Sequence, residues 1–279
     1  MSGVTATNAE RGSDSSRLDL EAYLRRIEYD GERRPSRATL EALHRAHATH
    51  VPFENLDILL GLPIRLDLAS LEAKLVTAGR GGYCFEQNTL FAAVLRKLGF
   101  SVTLLGARVR LGGREVRPRT HMTLMVEVEG ARLLADVGFG AAGLLLPVPL
   151  ATGEEVRQFA WTYRVAREAR QWVLQSLSDS AWEDLYAFTL EPQHHVDYEM
   201  ANHYTSTHPS SRFTQVLTAQ TIAPDVRRVL RNREYTEDRG TDLTRRVLAN
   251  DGELLDVLAQ TFGLRLPPGT RFRYRDDTG

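Results

Sequence analysis

The sequence predicts an α+β fold, and three observations carry that reading. Apolar residues recur at helical spacing up to about residue 99, change to strand-like alternation from about residue 100, and mix the two patterns beyond about residue 205. The size agrees, because 279 residues, 42% hydrophobic and 25% charged, suffice for one large domain or two to three small ones. The chain divides into a flexible tail over 1–16, a helical domain over 17–99, a sheet or barrel over 100–205 and a mixed α/β domain over 206–279. Nothing in the sequence forces a separation at 100 or 205.

Leu20, Tyr23, Leu24 and Ile27 share one helical face, and Asp30-Gly31 stops that helix. A second helix starts near Ser36, carries Leu40, Leu43, His44 and His47, and ends before Pro52, since proline disfavours helical backbone in the residue preceding it. His44, His47 and His50 stand three apart, so consecutive pairs can share a face. With no carboxylate at a matching offset they read as ordinary, partly exposed histidines, not a zinc site. Val51-Pro52-Phe53-Glu54-Asn55-Leu56 breaks the pattern and reads as a packed loop. A third helix begins near Asp67, a good N-cap, turns Leu68, Leu71 and Leu75 inward and ends at Gly79. Phe91, Val94, Leu95 and Leu98 form a fourth stripe, closed by Gly99.

Residues 102–105 and 107–111 read as extended, Gly112-Gly113 as a turn and 114–117 as a weaker return strand. Arg108, Arg110, Arg114, Arg117 and Arg119 make this segment basic: a solvated strand face, or a contact for an anionic cofactor. The strongest hairpin follows, with Glu129-Gly130 as a two-residue turn that sets Val126 opposite Leu133 and Leu124 opposite Ala135. One face is then apolar, while the other pairs Glu127 with Arg132 and Thr123 with Asp136. His121 lies diagonal to Asp136, roughly 7 to 8 Å away between backbones, a gap that an imidazole and a carboxylate bridge. The register therefore predicts a His121–Asp136 contact. Further strands are expected at 161–167, 171–177 and 182–190, a helix at 198–204, a loop at 205–211, strand-like pieces at 213–222 and 226–235, and a helix at 253–262.

Composition excludes several classes. Thirty-five Lys plus Arg against 36 Asp plus Glu leave a formal charge of −1, with no global basic field for nucleic acid or an anionic membrane. One cysteine excludes an intramolecular disulfide framework and a cysteine-rich zinc site, and fits a reducing compartment. Residues 1–16 hold no apolar core of a signal peptide, and the apolar stretch 137–150 is too short, and too broken by glycine and proline, to cross a bilayer. A cytoplasmic protein, off the membrane, is expected. No feature of the sequence sets an oligomeric state.

The single cysteine sits in Arg80-Gly81-Gly82-Tyr83-Cys84-Phe85-Glu86-Gln87-Asn88, where a glycine turn runs into a helix. A helix starting there aims unpaired N–H groups and its positive dipole end at the sulfur, favouring a nucleophilic thiolate. Read alone, a lone cysteine is more often a small buried hydrophobe than a nucleophile. A histidine aligned by an aspartate and brought to a cysteine can take its proton, and Cys84, His121 and Asp136 fit those roles. Spacing alone does not bring the His121–Asp136 pair to Cys84.

The segment around Cys84 resembles the nucleophile motif of the arylamine N-acetyltransferases. Val51-Pro52-Phe53-Glu54-Asn55-Leu56, Arg119-Thr120-His121-Met122, Asp136-Val137-Gly138-Phe139-Gly140 and Ser206-Thr207-His208-Pro209-Ser210-Ser211-Arg212-Phe213 resemble that family's segments in the same order. The likeness runs from about residue 18 to 266 and weakens beyond Phe213. It implies an N-terminal helical bundle, a central antiparallel β-barrel and a C-terminal α/β lid around a cysteine-protease- or transglutaminase-like core. It also implies Cys84 as acylated nucleophile, His121 as its base, Asp136 as the orienting acid, acetyl-CoA as donor, and ping-pong transfer to an arylamine, arylhydrazine or arylhydroxylamine. Phe53, Phe139 and Phe213 are implied as walls of an aromatic acceptor pocket, with core packing the equal alternative for each. Thr120 and Gly138 are implied as flanks of the cleft, and no metal is implied. The same triad also suits an amide synthase of the family, which closes a macrolactam from a carrier-bound acyl chain, or a cysteine hydrolase or transglutaminase-like enzyme. A binding module with an inert Cys84 is the non-enzymatic alternative.

Overall fold

The computed structural model describes residues 18–274 apart from Arg114 and Asp179, so the expected tail at 1–16 lies outside the described residues. Helices α1 (Leu20–Arg26) and α2 (Arg37–His50) come first. The Asp19 and Ser36 side chains cap them by accepting the Ala22 and Thr39 N–H groups. Strand β1 (Phe53–Glu54), α3 (Leu56–Leu59), α4 (Leu68–Leu71) and a π-helical turn (Glu72–Thr77) lead to α5 (Cys84–Lys97). Eleven of the fourteen residues of α5 are buried, so this helix runs through the core rather than over it. Its apolar residues pack with Met122, Leu124, Val126, Leu133 and Ala135, the apolar hairpin face that the register predicts.

The hairpin is β3 (His121–Val128) and β4 (Ala131–Ala135), with Val126 opposite Leu133, Leu124 opposite Ala135 and Glu127 opposite Arg132. Glu129 and Gly130 both have positive φ, 53° and 77°, as a two-residue turn matched to strand twist requires. With β2 (Ser101–Val109), β5 (Val148–Pro149), β6 (Glu155–Gln158), β7 (Trp161–Glu168), β8 (Gln171–Ser178) and β9 (Ala181–Pro192) it makes an antiparallel sheet of order β5-β4-β3-β2-β9-β8-β7-β6. That sheet curls into a nearly closed barrel.

After α6 (His195–Thr207) come a short 3-10 turn (Arg212–Thr214), β10 (Thr218–Ala223), β11 (Val226–Arg231), β12 (Glu234–Asp238), β13 (Leu243–Val247) and α7 (Asp251–Thr261). The last four strands form a second sheet whose outer member is β1, with Phe53 opposite Gln220.

Several expectations need correction. The segment 51–56 is not all loop, because Phe53–Glu54 pairs with a strand more than 160 residues away, a partner that local pattern does not reveal. No strand forms among the described residues of 114–117; Val116 is 90% exposed, so the return has no apolar face to bury. Helix α6 continues through Thr207 and stops only as His208 turns to extended backbone before Pro209. The segment 226–235 is a hairpin turning at Asn232, whose φ is +50°. His44 and His47 are 0% exposed, so two of the three histidines expected to be partly exposed are core residues.

Candidate active site

Cys84 is the first residue of α5, at the end of the Gly81-Gly82 turn. That turn is held from behind by a buried ionic network. Arg80 donates to Glu54 at 3.1 and 2.8 Å and to Asp57 at 2.9 Å, while Lys74 donates to Asp57 and Glu86, both at 2.7 Å. Glu86 in turn accepts the Tyr83 N–H at 3.1 Å. Burial of Glu86 outweighs its Lys74 partner and raises its pKa to about 7. A Cβ on Gly81 would lie 2.1 Å from the Pro52 carbonyl oxygen, so only glycine lets these two chain segments touch.

His121 opens β3, and Asp136 follows the last residue of β4. His121 Nε2 meets Asp136 Oδ2 at 2.6 Å, the contact that the hairpin register predicts. Both residues are buried. Burial works against a charged imidazole, but the Asp136 carboxylate and the neighbouring Cys84 side chain raise the His121 pKa to about 10. Burial likewise works against the Asp136 carboxylate, yet His121, Asn88 and the Gly138 N–H hold it below the ordinary range. The Cys84 thiol also lies 3.6 Å from the Thr120 carbonyl oxygen. A histidine aligned by a carboxylate and set beside a thiol can take the thiol proton, the arrangement that activates a cysteine nucleophile.

Sequence reasoning missed three side chains that build this arrangement. Asn88 lies one helical turn beyond Cys84 and faces the same way. Its Nδ2 donates to Asp136 Oδ1 at 2.9 Å and to the Met122 carbonyl at 2.8 Å, and its Oδ1 accepts the Val137 N–H at 3.1 Å. The Tyr186 ring lies tilted by 47° against His121, with ring centroids 4.7 Å apart. The third is His44, whose Nε2 accepts the Asp136 N–H at 3.0 Å. The i+4 offset from Cys84 could have found Asn88; Tyr186 and His44 carry no comparable local signal.

The expected pocket residues gather around the sulfur. A cavity of about 570 Å³ is lined by Cys84, His121, Phe53, Thr120, Gly138, Phe139 and Phe213 among others, while Asp136 stands behind His121. The Phe53 and Phe213 rings are 6.0 Å apart, and Phe139 lies edge-on to His121 at 5.0 Å. The three rings therefore pack against neighbours and form cavity wall together. A Cβ on Gly138 would stand 2.7 Å from Cys84 Cα and 2.8 Å from Asn88 Nδ2, so the 136–140 loop passes the nucleophile with no room for a side chain. Of the arginine-rich segment, Arg117 lines the cavity. Arg110 pairs instead with Glu168 at 2.7 Å and Asp184 at 3.1 Å, and Arg119 with Glu191 at 3.7 Å.

A family model described as N-acetyltransferase matches residues 37–271. The chain belongs to the arylamine N-acetyltransferase family. The arylamine N-acetyltransferase of Mycolicibacterium smegmatis is 39% identical over 255 residues, covering 89% of this chain and 93% of that protein. The crystal structure of the Nocardia farcinica arylamine N-acetyltransferase superposes with a TM-score of 0.86 at 41% identity, over 91% of this chain and 92% of that one. The Mycobacterium marinum arylamine N-acetyltransferase, solved in complex with CoA, gives a TM-score of 0.85 at 35% identity, over 88% and 93%. The chain is thus an acyltransferase of this family, on the α+β architecture its sequence predicts. Among the described residues no helix is long and apolar enough to cross a membrane.

Proposed function

We propose that the protein transfers an acetyl group from acetyl-CoA to the nitrogen of an arylamine, arylhydrazine or arylhydroxylamine, through an acetyl-thioester on Cys84. The observation that carries the reading is that Cys84 shares the wall of one aromatic-lined cavity with a His121 that is itself 2.6 Å from Asp136. The family supports the reaction, and the relative solved with CoA supports the donor.

In this mechanism His121 holds the proton of Cys84, and the thiolate sulfur attacks the carbonyl carbon of the bound thioester. The new Sγ–C bond forms as the bond from that carbon to the CoA sulfur breaks, and the proton on His121 passes to the departing sulfur. The amine nitrogen then attacks the Cys84 thioester. His121 accepts the proton that nitrogen loses, and Cys84 Sγ leaves as thiolate. Asp136 keeps His121 in the tautomer and orientation both halves need.

Phe53, Phe139 and Phe213 offer faces and edges for an aromatic acceptor. Thr120 and Gly138 flank the approach to the sulfur, Gly138 by leaving it open. The division into helical domain, barrel and lid, and residence in the reducing cytoplasm, belong to the same proposal; the need for a free, unoxidised Cys84 supports the latter.

The test is steady-state kinetics with acetyl-CoA and 4-anisidine or hydralazine, reading release of the free CoA thiol. Parallel double-reciprocal lines and an N-acetylated product are expected. Intersecting lines would contradict the covalent intermediate, and release of CoA with acetate as the only product would move the reading to a hydrolase.

A further inference from the structure

We propose that His44 is a positioning residue for acyl transfer: it accepts the backbone N–H of Asp136 where the barrel strand ends, and so sets the carboxylate that orients His121. This rests on the triad reading above.

Strand β4 ends at Ala135, and Asp136 is the first residue outside the ladder. Its N–H and the two that follow bond to side chains instead of strand partners. The Asp136 N–H goes to His44 Nε2 at 3.0 Å, the Val137 N–H to Asn88 Oδ1 at 3.1 Å, and the Gly138 N–H to Asp136 Oδ1 at 2.9 Å. Only the first of these ties the segment to α2. Asn88 reaches from α5, so two helices fix successive peptides of the strand end, and the carboxylate direction follows from both.

The ring of His44 can serve only in one form. Its Nδ1 lies 3.1 Å from the Leu145 carbonyl oxygen, which can only accept, so Nδ1 carries the hydrogen and Nε2 presents its lone pair to Asp136. Both partners lie on the barrel side while the ring sits on α2, fully buried and edge-on to Phe91. A second hydrogen on the ring would put two donors face to face, and burial accordingly keeps the imidazole neutral. Among the described residues the Asp136 N–H has no acceptor besides His44 Nε2, and a buried amide left without one is costly enough to move the backbone that carries it.

Three variants separate this role from packing. His44→Leu keeps the volume and removes the acceptor. His44→Asn ends about where Nδ1 lies and does not reach Asp136, whereas His44→Gln places an amide oxygen about where Nε2 lies. We measure kcat and KM for acetyl-CoA and the rate of Cys84 alkylation by iodoacetamide at pH 7, with circular dichroism as the check of fold. The Leu and Asn variants are expected to lose about tenfold to a hundredfold in kcat and in alkylation rate, with KM changed less than about threefold. The Gln variant is expected within about threefold of the unmodified protein.

Folded Leu or Asn variants with unchanged kcat and alkylation would overturn the proposal, as would a Gln variant as impaired as the other two or unable to fold. If the Leu variant does not fold, the Gln–Asn difference decides. Asp136→Asn in the same assay separates the two levels. If it alkylates at the unmodified rate, the triad reading falls and His44 with it; if it is slow while the His44 variants are not, only the His44 assignment falls.

Discussion

Replacing Asp136 with Asn changes one oxygen for an NH2 group, and the structure says which one. Asp136 Oδ1 accepts from Asn88 Nδ2 at 2.9 Å and from the Gly138 N–H at 2.9 Å, so the retained oxygen of Asn must stay on that side. Its NH2 then faces His121 Nε2, which must turn from donor to acceptor. The hydrogen of the neutral ring moves to the nitrogen facing Cys84, and the base becomes a donor with the wrong tautomer. The charge is lost as well. A His121 pKa of about 10 against the ordinary 6.5 corresponds to roughly 5 kcal/mol of support for the imidazolium, most of it dependent on the Asp136 carboxylate, since burial alone acts the other way. Without it the thiolate–imidazolium pair collapses to neutral groups. An ordinary cysteine is only a few per cent ionised at pH 7, so alkylation of Cys84 by iodoacetamide is expected to slow about thirtyfold, and acyl transfer by on the order of 10⁴. The assay is the second-order alkylation rate from pH 5.5 to 9.5. An Asn variant that remains folded and alkylates at the unmodified rate at pH 7 would refute the reasoning.

Gly138→Ala sets a methyl group 2.7 Å from Cys84 Cα, and backbone cannot yield there cheaply. Activity is expected to fall by on the order of a hundredfold through displacement of the nucleophile, and single-turnover acetylation checks it; an active variant would mean that the loop gives way freely. Stability should peak near pH 6.5. On the acid side His44 and His47, lowered by burial to about 4 and about 3, take up protons in the unfolded chain first, so stability falls as pH falls. Glu86, raised to about 7, opposes one of these two slopes between 4.5 and 6.5, leaving a net loss of about 1.4 kcal/mol per pH unit. On the alkaline side His121 binds its proton more tightly when folded, so its contribution, complete below 6.5, is lost as pH rises through about 10. Urea unfolding measured across this range would contradict the assignment if it were flat between 4.5 and 6.5.

How much of this was legible in the sequence depended on whether the partner was near or far along the chain. The 129–130 turn and the alternation on either side of it fixed the hairpin register, and that register alone tied His121 to Asp136. Helix α5 was legible from the Phe91–Leu98 stripe, and Cys84 as its opening residue from the glycine turn. What escaped were contacts between distant segments. Phe53–Glu54 became a strand only because β10 offered an edge, and the burial of His44 and His47 followed from the barrel and α5 closing over α2. His44 reads in the sequence as a partly exposed histidine because its partners, Leu145 and Asp136, stand 101 and 92 residues away. The motif also placed Phe53, Phe139 and Phe213 without telling whether they were core or cavity, and their rings prove to serve as both.

The central claim is that Cys84 carries the acyl group, and intact-mass spectrometry reads it directly. After incubation with acetyl-CoA and removal of excess donor, the protein is expected to gain the mass of one acetyl group, to lose it on addition of an aromatic amine, and to gain nothing when Cys84 is replaced by Ala. No mass gain in the unmodified protein, or a gain that survives Cys84→Ala, would contradict the account.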